Sequence, residues 1–326
     1  MKKLSGWQKA GVVAGIGCFS IVGLLVIGVA GAVFWARSTL AEYGDTTPTR
    51  VEKTIALQGS VAEAPDRSGA KAVETKGIEP LRLDIDLEEG QFIIRPGPPS
   101  SQVQVEGTYA ENLYELTERH DADSGRGQRT TIRFRSKAPA WARMLAGVGS
   151  DGAGRPTLTV LIPAGVPMEL TLRVSVGESQ IDLGGLTLRE LGLDLSMGNH
   201  QVDFKEPLVE GLRRLQLSAR MGNVSVDHLG NARAQAIDTS GSMGNLRADL
   251  GGAWKPGSSA DLSFTHSMGE LTLNVPTQVR IETNFSSSQG EVENRPAATK
   301  ETDSPDAPLL RLRVSTSMGE GHVVRY

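Results

Sequence analysis

A chain of 326 residues with 39% hydrophobic content and a formal charge of −4 suits one or two globular units and excludes a disordered chain. Only 5% of its residues are aromatic while 38 are glycine, so the core must be built from Leu, Val, Ile and Met on a backbone that bends often. The near-neutral balance leaves no basic surplus for a nucleic-acid partner.

The first segment, residues 1–10, carries Lys2, Lys3 and Lys9 with no acid among them. From Gly11 to Trp35 there follow 25 residues without a charge, which at ~1.5 Å per residue cover the ~30 Å hydrocarbon layer of a bilayer with some tilt. Residues 11–35 are therefore expected to form a single transmembrane helix bracketed by Trp7 and Trp35. Ala30-Gly31-Ala32 could mimic a signal-peptide cleavage site, but the apolar run exceeds the ~7–15 residues usual for such peptides. The lysines before the span place the amino terminus in the cytoplasm and the bulk of the chain outside it. Cys18, the only cysteine, lies inside the span, which excludes an intramolecular disulfide and thiolate zinc sites in the rest. Gly17-Cys18 loosely resembles a lipoprotein cleavage site, yet apolar sequence continues past it, and a buried thiol is the better reading.

Residues 36–78 contain Thr47-Pro48, Ala64-Pro65 and few large apolar side chains, and read as a flexible linker. Strict alternation begins at Leu81, Leu83, Ile85 and Leu87, so an extracytoplasmic β-domain is expected over 79–326. Segments Gln102 to Tyr109, Arg129 to Arg135 and Thr157 to Ile162 also read as strands and are expected to form hairpins capping a stack. Ala138 to Val148, with Trp141, Met144 and Leu145, reads as an exposed apolar loop that could touch membrane or a partner, and Arg126, Arg129, Arg133, Arg135 and Lys137 as a basic strip on a solvated or lipid-facing edge.

The stack itself is announced by an internal repeat, mainly over residues 170–326. Ser196-Met197-Gly198-Asn199 recurs as Arg220-Met221-Gly222-Asn223, Ser242-Met243-Gly244-Asn245, Ser267-Met268-Gly269-Glu270 and Ser317-Met318-Gly319-Glu320. Degenerate copies at Gly177 and Gly290 complete a series of seven glycines spaced 21, 24, 22, 25, 21 and 29 residues apart, and Glu89-Gly90-Gln91 reads as an earlier, detached relative. Apolar or small residues lie seven, five, three and one before each glycine, then two, four and six after it. Alternation thus shifts parity at the glycine. Both halves can face inward only if the backbone absorbs a residue there, which glycine permits through a positive φ. Each repeat reads as strand, glycine bend, strand, and stacking at ~4.8 Å gives an all-β solenoid of ~22-residue repeats. A propeller blade would need about twice that length.

The run Leu158-Thr159-Val160-Leu161-Ile162-Pro163-Ala164-Gly165, followed by such units, resembles the bacterial toast-rack domains, a group labelled as candidate adhesins. It is similar to the carboxy-terminal part of Lia-type envelope-stress regulators. Those domains typically carry a Ser-Gly-Asp turn where this chain has Ser-Met-Gly-Asn or Ser-Met-Gly-Glu. The resemblance spans roughly Leu81 to Tyr326 and implies a β-solenoid in a bacterial cell envelope, without an assigned activity.

Stacking turns equivalent residues into columns. Asp182, Asp203, Asp227, Asp249 and Asn274, each five after its glycine, make an outward carboxylate column that could take calcium, or simply satisfy backbone groups at the following turn. The turn reading is preferred, because calcium needs ~6–8 oxygens and no loop motif supplies them. Ser196, Ser242, Ser267 and Ser317, two before the glycine, run beside Ser218, Ser240 and Thr265 as a hydroxyl-rich face for a protein or glycan, or for water alone. Met197, Met221, Met243, Met268 and Met318 are expected to fill core volume beside the bend; thioethers could otherwise hold Cu(I). The histidines fall out of register and predict no metal site. No cofactor motif or convergent acid–base pair is present. A membrane-anchored, non-enzymatic envelope protein is expected, single-pass in the bacterial cytoplasmic membrane, that acts as an adhesin-like, signalling or scaffold contact module. The alternatives are a self-assembling scaffold, favoured if the tail ending at Tyr326 is an unprotected terminal coil, and a polysaccharide-active β-helix enzyme.

Overall fold

The computed structural model describes residues 47–57, 81–123, 127–139, 155–295, 302 and 304–326. The expected span 11–35, Cys18, most of the linker and most of the 138–148 loop lie outside them. No helix among the described residues is long and apolar enough to cross a membrane.

The strands come in chain order. The first six are β1 (Thr49–Ala56), β2 (Leu81–Gly97), β3 (Gln102–Tyr109), β4 (Tyr114–Asp123), β5 (Gly127–Ser136) and β6 (Thr157–Pro163). Five long bent strands follow: β7 (Met168–Asp182), β8 (Leu188–Asp203), β9 (Arg214–Asp227), β10 (Ala236–Asp249) and β11 (Ser259–Val275). The chain ends with β12 (Arg280–Ser287), β13 (Glu291–Arg295) and β14 (Leu309–Arg325). All fourteen belong to one sheet.

The central part is a parallel ladder β2-β7-β8-β9-β10-β11-β14 in which each glycine sits beside the next: Gly90, Gly177, Gly198, Gly222, Gly244, Gly269 and Gly319. Gly90 is thus the first rung of the stack. The sheet folds along this glycine line into two arms with one hydrophobic core between them. In β8 the inward residues are Leu191, Leu193 and Leu195 before the glycine, then His200 and Val202 after it. Positions 195 and 200 are five apart, an odd number, so the alternation slips once between them, as the parity of the repeat requires. Full burial of each Leu or Val is worth about 1.5–3 kcal/mol, and repeating it on every rung is what holds so aromatic-poor a core together.

Two separate constraints demand glycine at the fold line. The six from Gly90 to Gly269 adopt φ between 107° and 153°, a region other residues avoid. A Cβ on any of Gly177, Gly198, Gly222, Gly244 or Gly269 would also collide with the carbonyl oxygen of the preceding rung's glycine. Gly319 and Gly290 share the collision without the positive φ.

One expectation fails at this line. Met197, Met221, Met243 and Met318 are 47%, 46%, 45% and 55% exposed, and Met268 is half-buried, so the methionines form a ridge on the outer apex rather than core filler. The reason lies in where the parity slip occurs. Paired registers break at the residue two before each glycine, as between Leu195 and Met197, so the extra residue is absorbed there and the next side chain turns outward. Inward packing stops at the third residue before the glycine and resumes at the second after it.

The order of rungs at the carboxy end also differs from chain order. β14 inserts between β11 and the β12–β13 pair, so Gly319 stacks on Gly269 and Gly290 lies beyond it. The tail is therefore covered on both sides, and the outer rung is β12–β13, whose Glu282, Glu291, Glu293 and Arg295 are exposed. Charges of this kind blunt an edge against further strand addition.

At the amino end β5 pairs one arm of β2 and β6 the other, while β4 and β3 add antiparallel partners, giving the capping hairpins. Four aromatics cluster here: the Phe134 ring stacks on Tyr114 and meets Tyr109 and Phe92 edge-on. Thr49–Ala56 is not linker. It pairs antiparallel with β3 and buries Ile55, extending the domain upstream of residue 79. Two members of the basic strip, Arg129 and Arg135, stay half exposed while pairing with Asp84 and Asp86 of β2.

Candidate functional site

Because every rung is in register, the outer surface of the first arm is a grid. The column four before the glycines reads Arg173, Asp194, Ser218, Ser240 and Thr265; the column six before reads Thr171, Gly192, Gln216, Asp238 and Ser263. These two columns line a shallow hollow of about 480 Å³. It exists because its floor is made of short side chains, with Gly192 contributing none. Arg173 and Asp194 border it toward β7, and Asp194 is held by Arg220 at 2.8 Å. Arg214 grips Asp238 at 2.6 Å. A second hollow of about 530 Å³ continues across β10, β11, β14 and β12, where Arg311 lies between Asp261 and Glu282 at 3.5 and 3.4 Å. The walls are hydroxyls, amides and paired charges, with no aromatic ring.

The serines expected at the centre of a binding face, Ser196, Ser242, Ser267 and Ser317, lie one column nearer the fold line and do not line either hollow. They flank it. Ser317 Oγ donates to the Ser267 carbonyl at 3.3 Å, so part of this column caps the backbone where pairing is interrupted. Ser218, Ser240 and Thr265 are the hydroxyls that reach the hollow. Gly192 and Gln216 were not singled out by sequence reasoning; the signal was a glycine and an amide at an outward position among hydroxyls and charges.

The carboxylate column forms on the second arm, half-buried and in register from Asp182 to Asp203 to Asp227. Its charges are answered locally. Asp182 accepts from the Gly184 amide at 3.1 Å and lies 3.4 Å from Lys205 Nζ. Asp203 meets His228 Nδ1 at 2.8 Å, a bond that raises the histidine's pKa above its ordinary value. Asp249 accepts from the Gly251 amide at 3.0 Å and from the Tyr326 hydroxyl at 2.6 Å; burial first, and this bond second, push the phenol upward. The two amide bonds are turn-closing contacts, while Lys205, His228 and Tyr326 reach the column from other segments of the chain. Among the described residues, no three His, Cys, Asp or Glu side chains converge as metal ligands.

Two histidines enter the core. His200 is 2% exposed, shares a 2.9 Å hydrogen bond with Ser179 Oγ through Nδ1, and is pushed down to about 4 by burial. His266 places Nε2 3.0 Å from the Gly244 carbonyl, and its ring occupies the space that a side chain on Gly241 would fill. The Ser179–His200 pair is sealed from solvent, and His200 Nε2 meets no hydrogen-bond partner among the described residues, so the pair is a contact of the core between two rungs.

Residues 62–213 match the family model described as the N-terminal domain of toast_rack, DUF2154. No curated protein sequence matches the chain. Among solved structures, a candidate cell adhesion protein from Clostridium sporogenes aligns with 13% identity over 86% of this chain and 100% of its own, at a TM-score of 0.42. A candidate adhesin from Bacteroides fragilis aligns with 9% identity over 85% and 97%, at 0.33, and a candidate lipid binding protein from Parabacteroides distasonis with 10% identity over 86% and 98%, at 0.36. Likeness at that level says nothing about ligand or role. The family match therefore marks residues 62–213 as similar to a toast-rack N-terminal domain, and the creased glycine ladder continues past them without a break through β14.

Proposed function

We propose that the chain is a non-enzymatic contact module of the bacterial cell envelope, which presents the outer face of its first arm to a protein or glycan partner. The observation that carries this reading is the rigid grid of hydroxyls, amides and paired charges around the 480 Å³ hollow. Short polar side chains on a pre-ordered sheet can form several weak hydrogen bonds at once with little loss of conformational freedom. Acid–base chemistry would instead need groups in unequal environments converging on one point, and the carboxylates of this hollow, Asp194 and Asp238, stand on different rungs and are each paired with an arginine. With no aromatic ring on its walls, the hollow would hold a sugar by hydrogen bonds alone. The apolar run at 11–35 supports anchoring in the cytoplasmic membrane by one helix, with the domain outside the cell membrane.

The test is in vivo photo-crosslinking from Ser218 and Ser240 in the hollow, with Ser225 and Arg247 on the outer face of the second arm as controls. The reading expects one captured species from the hollow positions and none from the controls. Equal capture from both arms, or none from either, would count against it.

A further inference from the structure

Five thioethers in one unbroken row on a polar surface call for a use that packing no longer supplies. Met197, Met221, Met243, Met268 and Met318 occupy adjacent rungs in register, with neighbouring strands ~4.8 Å apart. A metal ion bridging two sulfurs through bonds of roughly 2.3 Å spans about the same distance. The side chain has three rotatable bonds, so the sulfurs of three consecutive rungs can lean toward one point without moving the backbone. Thioether sulfur is a soft, neutral donor that discriminates against calcium, magnesium and zinc in favour of monovalent copper.

The surroundings single out one end of the ridge. Beside Met197, Met221 and Met243 stand the neutral Asn199, Asn223 and Asn245, and Arg220 is tied to Asp194 at 2.8 Å, so this end offers the ridge no free carboxylate. Beside Met268 and Met318 stand the exposed carboxylates Glu270 and Glu320, in register with each other, and the small Ser267 and Ser317 on the other flank. The insertion of β14 next to β11 is what creates this triplet, because it brings Met318 against Met268 in place of Gln289, which precedes Gly290. We infer that Met243, Met268 and Met318 form a surface site for a soft monovalent cation of the Cu(I) class, with Glu270 and Glu320 supplying compensating charge.

The test uses the full chain carrying Cys18→Ser, which removes the one thiol that would compete for the ion. Under anaerobic conditions, Cu(I) is offered as its bicinchoninate complex, and Ag(I) serves as a redox-inert check. The parent should withdraw about one equivalent of Cu(I), and X-ray absorption should show copper–sulfur scattering. The triple substitution Met243→Leu, Met268→Leu and Met318→Leu keeps the ridge apolar and similar in volume, yet should weaken Cu(I) uptake at least tenfold. Met197→Leu with Met221→Leu should leave uptake unchanged. A parent that takes no copper from the complex, or a triple variant that takes as much as the parent, overturns the assignment.

Discussion

The middle rungs and the last rung of the stack use the same kinds of residue at equivalent positions, yet only the middle ones are sealed. Leu193 on β8 is 3% exposed, whereas Ile281 and Phe285 on β12 are only partly buried. The difference is coverage. A two-stranded unit cannot bury its own apolar face, so burial comes from neighbours on both sides, and β12–β13 has β14 on one side only. Position in the stack, rather than residue type, therefore sets how much each substitution costs.

The contrast can be broken most severely at the fold line. Gly222→Val places a branched side chain at φ 123° and against the Gly198 carbonyl, and should cost more than about 4 kcal/mol, enough to abolish cooperative thermal unfolding. Next comes the sealed core. Leu193→Ala should lower stability by about 2–5 kcal/mol in urea titration, and Ile281→Ala on the last rung by about 1 kcal/mol or less. Equal losses would show that the outer rung is covered in solution, as an end-to-end assembly would cover it.

Acid acts through His200. Its folded pKa of about 4 lies below the ordinary 6.5, so the unfolded chain binds the proton first and stability falls as pH drops from about 6.5 to about 4. The loss approaches about 3 kcal/mol only once the pH falls below the folded value, where both states carry the proton. His200→Val, which copies Val224 of the next rung, should remove this component from urea midpoints compared at pH 7.5 and 4.5. His228 works in the opposite sense: raised by Asp203, it contributes below its unfolded pKa and loses that contribution as pH rises, weakly because it is half exposed. The smallest effect belongs to the ridge, where Met221→Gln should change stability by no more than about 0.5 kcal/mol.

Much of this architecture was legible in the chain. Alternation of Leu191, Leu193 and Leu195 and its slip at Gly198 describe a bent strand, and Gly90 was recognisable as a distant copy although it lies 87 residues before Gly177. Two things were not legible. Hydropathy classes methionine with leucine, but whether Met197 points in or out depends on which residue of the bend absorbs the slip, and this is a backbone matter that spacing alone does not encode. Rung order was equally hidden, because near-identical repeats stack on one another equally well, and nothing in Ser317-Met318-Gly319-Glu320 says that its neighbour is Gly269 rather than Gly290 alone. The strand at Thr49–Ala56 has too short an alternation, Val51 and Ile55, to stand out from a tether. The hollow was hidden for a related reason: Gly192, Gln216 and Ser240 lie 24 residues apart in sequence and become neighbours only across rungs.

Disulfide formation from rung to rung along the fold line, in a chain carrying Cys18→Ser, probes the creased ladder most directly. Cysteines at Met268 and Met318 stand on adjacent strands, within the ~4.4–6.8 Å Cα separation a disulfide requires, and should join readily on mild oxidation. Cysteines at Met268 and Gln289 are separated by the intervening β14 and should stay reduced. Joining of the second pair while the first remains free would mean that the rungs follow chain order, and the inserted strand, its methionine triplet and the sealed tail would all have to be given up.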